Sequence, residues 1–573
     1  MTSRDQAIAA LRTRRHVPVL IVGAGINGAG LYRDLSLQGI DCVLIDKSDI
    51  CAGASAAPSR LIHGGLKYLE TGEFGLVAQS TLERNLLLRN APHYVRPLET
   101  VIPIFSWFGG IIPSICRLLR IPAKLADRGV LITEAGLSLY DFFGRRARVM
   151  PHHGLRLRKR SLNDLPALDP RIVATATYYD AAITHPERLG LELVLDARIA
   201  HPASIAVNHV SLAGRDEESL RLHDEIGGED FHITADVVVN AAGAWIDRAN
   251  RNLGVDRCYI GGTKGSHLIL DNPGLVRQLA GRMVYFGSSD GRICLVYPYF
   301  DKALVGSTDI RTDDPDAAIC DDEEAAYMLR VLAEIFPGAG VASDQVLYRY
   351  CGVRPLPAAD AADPGSISRD HSIRIDRLPG SETPVLSLIG GKWTTFRGFA
   401  EEAVDQVLHL LGRSRRTSTR TMAIGGGTAY PATDTARNAW IDRLAGETHL
   451  PPRRIGDLLS RYGTRAEEIA LWCAAEADRP LRSLPDYSER EIAWLCANEL
   501  CGTLADLVFR RTTIAITGRL TDEVSAELAR LAAAACGWDT KRSFREREAV
   551  GREAARHGVM LTPSAAEHLS RQA

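Results

Sequence analysis

The 573-residue chain lacks the cysteine spacing that iron–sulfur clusters and zinc ribbons require: its 11 cysteines are scattered singly, and the two nearest are Cys496 and Cys501. Thiols so dispersed read as small apolar packing residues in a reducing compartment, and no metal is expected. An excess of one charge is also missing. With 68 Lys and Arg against 70 Asp and Glu, the net charge of -2 gives no bulk attraction for nucleic acid, and none is expected as a partner. No apolar signal core precedes the first predicted strand, and no apolar run has the length of a bilayer span, so the expected location is cytoplasmic. What is present is an ordinary globular mixture, 46% hydrophobic and 24% charged, in a chain too long for one core.

The stretch from Val17 to Asp49 carries the first functional signal. An apolar run, Val19 to Val22, ends in Gly23-Ala24-Gly25-Ile26-Asn27-Gly28; a helical pattern follows to Gln38, and a second apolar run, Cys42 to Ile45, closes on Asp46. This is the β-turn-α-β unit of a dinucleotide site. Gly23 permits the turn, Gly25 lets the backbone approach a pyrophosphate, Gly28 lets helix and strand pack closely, and Asp46 accepts from a ribose hydroxyl.

Two later segments repeat the pattern of strand and small-residue turn. Ala235 to Asp247 runs into Ala241, Ala242 and Gly243, which taken singly reads as any tight strand-to-helix turn; Pro384 to Val404 places Gly390-Gly391 between a strand and a helix. Three such turns, far apart in sequence, suggest one long cofactor laid across one sheet, and FAD is the expected cofactor. No second G-x-G-x-x-G follows a strand, so a nicotinamide is not the expected electron acceptor. Arg292 to Phe300 and Ala303 to Ile310 predict a hairpin, and "GTKGSHLIL" is expected to precede a further strand. A capping box at Ser488 and Glu491, and a helix ending at Gly537, mark a helical C-terminal region. The expected fold is α/β: a tail at 1–16, a Rossmann-like FAD-binding domain at 17–411 with an interleaved α+β substrate domain, a linker at 412–434, and a helical domain at 435–573.

The motifs "SRLIHGGLKYLE" (Ser59 to Glu70), "NAAGAW", "KGSH", "GSTD", "GVRPL", "SRDH" and "GGKWTTFR" occur in this order. Together they resemble the FAD-dependent glycerol-3-phosphate dehydrogenases over nearly the whole chain. The resemblance implies oxidation of sn-glycerol 3-phosphate to dihydroxyacetone phosphate, with electrons passed to membrane quinone. Chemically, a phosphorylated polyol needs cations, and Lys67, Arg354, Arg369 and Lys392 lie in these motifs as a candidate anion clamp. The resemblance adds Tyr68 to the substrate contacts. Cofactor contacts are expected from Gly23, Gly25, Gly28, Asp46, Ser55, Ser59, His63, Gly64, Gly65, Ala242, Gly243, Gly390, Gly391 and Thr394.

Hydride loss from C2 must be matched by proton loss from its hydroxyl. Arginine is a poor base but stabilises a developing alkoxide, so Arg354 is given the electrostatic role and His267, with an ordinary pKa near 6.5, that of the base. Three departures from the family leave the polyol open: Thr184 to Leu189 replaces the usual Asn/Asp-Asp-Ala-Arg-Leu, Lys67 an arginine, and His371 a tyrosine. An erythritol phosphate is the second substrate, and an oxygen-using oxidase the second activity. Quinone lives in the bilayer, so a peripheral membrane contact is expected. Ile104 to Lys124 offers Phe105, Trp107, Phe108, Ile111, Ile112, Leu118 and Leu119 beside Arg117, Arg120 and Lys124, with a basic run at Arg145 to Arg160. A homodimer is carried as the expected assembly.

Overall fold

The structure is a computed structural model that describes residues 2–69, 72–109, 128–217, 219–288, 292–358 and 370–561. Among them two sheets form. The first follows the strand order Ser372–Arg377, Pro384–Ile389, Asp230–Asn240, His16–Val22, Cys42–Asp46, Ile205–Asn208, with two further strands at Val210–Arg215 and Leu220–Asp224. From Pro384–Ile389 to Ile205–Asn208 every neighbouring pair is parallel. Continuous apolar runs are what a sheet covered on both faces demands, and Val19, Leu20 and Ile21 are fully buried. The helix Ile26–Leu37 packs against Phe396–Leu410, whose Phe396 lies over Gly30.

The second sheet is mixed and runs Ile310–Arg311, Ile260–Leu270, Lys302–Gly306, Ile293–Tyr299, Met283–Gly287, Val95–Ile104, Ala174–Ile183, Leu61–Ile62. Val346–Pro357 joins it along Ile260–Leu270, and Gly154–Leu157 along Ala174–Ile183. The chain crosses between the two sheets several times, which is the interleaving expected. The predicted hairpin forms, with Tyr299 opposite Lys302. "GTKGSHLIL" is itself part of the strand Ile260–Leu270 rather than a lead into one: its two glycines hid a paired strand, since Gly is a poor strand former.

Residues 1–16, read as a tail, hold the helix Ser3–Thr13, closed at its start by a reciprocal Thr2–Asp5 box. Arg4 fastens it, donating to the Asn208 carbonyl at 3.3 Å and to Asp224 at 2.5 Å. Helices dominate from Asp434–Thr448 to Thr540–Arg556. Ser488 caps Glu489–Asn498 as expected, but the Glu491 carboxylate turns to Arg454, Arg461 and Tyr462 instead of back to the cap. Gly537 ends its helix at φ 69°. The apolar core of this helical region is continuous with Tyr297, Tyr299, Tyr348 and Tyr350 of the second sheet. Buried ion pairs also tie it to the helix Pro186–Ala200, through Arg188 to Glu499 at 2.7 Å, and to the loop after the first-sheet strand Cys42–Asp46, through Arg511 to Asp49 at 2.5 Å.

Candidate active site

A cavity of about 2410 Å³ is lined by residues of both sheets. At its cofactor end the C-terminal tips of the first sheet meet. Gly23, at φ 104°, has the Ala241 backbone so close that a Cβ would stand 2.7 Å from it, and a Cβ on Gly28 would stand 1.9 Å from the Gly23 carbonyl oxygen. The first glycine is therefore forced by the turn and by close approach, the third by helix–strand packing. Gly25 opens the helix Ile26–Leu37 with no side-chain cap, leaving first-turn N–H groups without intrahelical acceptors. The loop that follows Asp46 returns here. Ser55 accepts from Ile26 N at 3.0 Å through its hydroxyl and from Trp393 Nε1 at 2.9 Å through its carbonyl. Asn27 donates to Gly390 O at 3.3 Å, and His63 N to Thr394 Oγ1 at 3.1 Å.

The three strand-end turns thus lie around one cavity. Of the expected cofactor set, Gly23, Gly25, Asp46, Ser55, Ser59, His63, Gly65, Ala242, Gly243, Gly390, Gly391 and Thr394 line it. Gly28 and Gly64 stand behind the lining: Gly64 packs on Thr81 and on the Tyr140 hydroxyl, to which its N–H donates at 2.8 Å. Asp46 lines the cavity, but its two oxygens already accept from Ala24 N at 2.7 Å and Ser48 N at 2.8 Å, so it first builds the turn. These residues fit FAD. The cavity runs from Val210 and Leu212 past the uncapped helix start to His63 and Thr394, and the buried Asn27 Oδ1 has no hydrogen-bond partner among the described residues.

At the other end stand the cations, Arg354 and Lys67 on or just after strands of the second sheet and Lys392 just after a strand of the first. Lys67 and Tyr68 sit on the short turn Leu66–Leu69, and Lys392 Nζ lies 4.2 Å from the Tyr68 ring centroid while donating to Ser80 Oγ at 2.9 Å. Arg354 donates to Asp309 at 2.9 Å and to the Thr308 carbonyl at 3.4 Å. Its guanidinium lies over Gly265, and His267, two residues along the same strand, faces the same side. All five line the cavity; Arg369 lies outside the described residues.

His267 is buried, stacked on Tyr350 with centroids 5.1 Å apart, and neither ring nitrogen has a hydrogen-bond partner among the described residues. Burial, then the charges of Arg354 and Arg60, push its pKa down to about 3. This corrects the sequence expectation of an imidazole in its ordinary range. The imidazole is neutral and able to accept a proton, but weakly basic until a negative charge arrives beside it. Sequence reasoning missed Arg60, which is buried at φ 54° and paired with Glu187 at 2.5 Å beneath this site. It also missed the role of Gly265, visible only once side-chain alternation along the strand is known.

Residues 18–373 match the family described as FAD dependent oxidoreductase, and residues 417–543 match the C-terminal domain of alpha-glycerophosphate oxidase. A glycerol-3-phosphate dehydrogenase of Synechocystis is 33% identical over 91% of this chain and 93% of its own length. A D-erythritol 1-phosphate dehydrogenase of Brucella abortus is 29% identical over 86% of this chain and 93% of its own. In fold, the chain is similar to a Bacillus halodurans glycerol-3-phosphate dehydrogenase solved with FAD, with a TM-score of 0.75 at 22% identity, covering 98% and 99% of the two chains. The chain is an FAD-dependent oxidoreductase, and it belongs within that class to the glycerol-3-phosphate dehydrogenase family.

Proposed function

We propose that the protein oxidises sn-glycerol 3-phosphate to dihydroxyacetone phosphate and passes the electrons to a membrane quinone. The observation that carries this reading is the placing of Arg354 over Gly265, with His267 two residues along the same strand, in the cavity that Lys67, Tyr68 and Lys392 also line. FAD, when bound, supplies the acceptor for the C2 hydride. Lys67 and Lys392 hold the phosphate dianion, with Arg369 as a third expected cation. Arg354 stabilises the oxygen of C2 as its proton leaves, and His267 takes that proton at a ring nitrogen. The phosphate dianion and the developing alkoxide raise the imidazole pKa at the moment it is needed.

The relative named D-erythritol 1-phosphate dehydrogenase, together with the departure at Thr184 to Leu189, supports a second substrate reading of one added carbon. For the acceptor, the support is the lack of a second dinucleotide fingerprint and a group of exposed apolar side chains that includes Trp107, Phe108 and Phe142. The test is anaerobic mixing of the FAD-loaded protein with glycerol 3-phosphate, erythritol phosphate or glycerol, followed by oxygen or a soluble quinone. Glycerol 3-phosphate should bleach the flavin fastest, and quinone should restore the colour faster than air. Faster bleaching by erythritol phosphate selects the second substrate, faster recovery in air selects the oxidase, and no bleaching by either phosphate overturns the proposal.

A further inference from the structure

Behind the strand that carries His267 lies a buried carboxylate for which the chemistry above has no use. Glu324 is the third residue of the helix Asp322–Ile335 and is 3% exposed. Its Oε1 accepts from Thr308 Oγ1 at 2.6 Å and from Ser266 Oγ at 2.8 Å; its Oε2 accepts from Lys264 Nζ at 2.7 Å. Along Ile260–Leu270 successive side chains alternate in direction, so Lys264 and Ser266 face the helix while Gly265 and His267 face the cavity. Glu324 therefore grips the strand from behind at two points. It also reaches the loop that pairs with the arginine. Thr308, fixed by Glu324, accepts from Ser266 N at 3.0 Å, its carbonyl accepts from Arg354 Nη2, and the next residue, Asp309, accepts from Arg354 Nη1. One carboxylate thus ties together the strand beneath the guanidinium and the loop that holds it by two of its nitrogens.

We propose that Glu324 is a positioning residue for the oxidation: it sets the place of the Arg354 guanidinium over Gly265 by locking Lys264, Ser266 and Thr308 to one another. It touches neither substrate nor flavin and acts through Arg354. A carboxylate suits this task because it has lone pairs for three donors at once, whereas a glutamine in its place keeps one oxygen and turns an N–H₂ toward the Lys264 ammonium. The inference rests on the role given to Arg354 above.

The test is a double-mutant cycle on the FAD-loaded protein, read by the limiting rate of anaerobic flavin reduction and by the substrate concentration giving half that rate. Glu324→Gln and the near-isosteric Thr308→Val are each made in the wild type and in Arg354→Ala, all matched for flavin per chain. In the wild-type background each should lower the limiting rate about tenfold or more with less than about a threefold change in half-saturation, because the loss falls on the transition state. In the Arg354→Ala background the same substitutions should change the rate by less than about twofold, since the group they position is gone. Equal losses in both backgrounds would mean a purely structural residue, and no loss with Arg354 present would mean no role; either overturns the inference. If Glu324→Gln fails to fold or to retain flavin, Thr308→Val decides alone. If Arg354→Ala itself leaves the rate unchanged, the assignment of Arg354 fails and the inference falls with it. If Arg354→Ala is slow but the pairs do not couple, the assignment stands and only the inference fails.

Discussion

The Arg354 guanidinium lies so close over the backbone of Gly265 that a Cβ built there would stand 2.0 Å from Nη2. Gly265→Ala must therefore push the guanidinium away from its place beside His267, although the methyl meets only the movable end of a side chain. The expected outcome is a folded protein with normal FAD content whose anaerobic flavin reduction is slowed on the order of a hundredfold, as misplacement of a reacting group by about 1 Å can cause. Stopped-flow reduction checks it, and a rate near that of the wild type would show that the arginine does not work from this position.

The fingerprint glycines separate by what surrounds them. A Cβ on Gly28 would meet the Gly23 backbone at 1.9 Å, whereas one on Gly25 would meet only Ser55 Oγ, at 3.3 Å. Gly28→Ala should fail on packing, melting lower by several degrees and emerging with little flavin. Gly25→Ala should fold but bind FAD weakly, with added FAD restoring both colour and thermal stability. Flavin absorbance per chain and melting curves with and without FAD distinguish the two. Equal behaviour of both variants would contradict the assignment.

The helical region meets the first sheet at a titrating pair. Burial alone would lower the pKa of His209, but Asp506, 3.0 Å away, outweighs it and holds the imidazole above its ordinary value. Burial would likewise raise Asp506, yet His209, Arg510 and Arg511 keep it well below the usual carboxylate range. The His209 contribution is thus fully present below about pH 6.5 and lost as pH rises through the raised pKa; that of Asp506 is present above about pH 4 and lost as pH falls toward its lowered one. Because His209 sits at φ 54°, asparagine is the suitable replacement. The melting-temperature gap between wild type and His209→Asn should be largest near pH 6 and shrink toward pH 9. A gap constant over that range would rule the linkage out.

The segment expected to make the membrane contact extends beyond the described residues, with Ile111, Ile112, Arg117, Leu118, Leu119, Arg120 and Lys124 outside them. The part within them presents apolar side chains to solvent. Trp107 is 47% and Phe108 71% exposed, and Leu131, Phe142 and Leu157 are exposed as well, while no helix among the described residues is long and apolar enough to cross a bilayer. Wild type should sediment with anionic liposomes at low salt, and Trp107→Glu/Phe108→Glu, at equal flavin content, should stay in solution. Equal sedimentation of both would assign these aromatics another role.

Local motifs were legible in the sequence because each obeys short-range rules: the turn at Gly23, the hairpin at Tyr299 and Lys302, and the helix stop at Gly537 are fixed by neighbours within a few residues. Relations that depend on long-range pairing were not. Thr263 lies opposite Arg354, and that register, across some ninety residues, is what lays the guanidinium over Gly265. The same holds for burial, which only the folded chain reveals: His267 was assigned an ordinary imidazole because nothing near it in sequence announces Arg60 and Arg354 as its neighbours. Glu324 carries no local signal at all, being one acid in a run of four at a helix start.

The most direct measurement is anaerobic stopped-flow reduction of the bound flavin by sn-glycerol 3-phosphate carrying hydrogen or deuterium at C2, in wild type and in Arg354→Ala. The account predicts rapid bleaching by one equivalent of substrate, slowed roughly two- to fivefold by deuterium, and a loss of several orders of magnitude in Arg354→Ala, each factor of ten being about 1.4 kcal/mol of lost transition-state stabilisation. A flavin that glycerol 3-phosphate fails to bleach, or that bleaches as fast without Arg354, would contradict it.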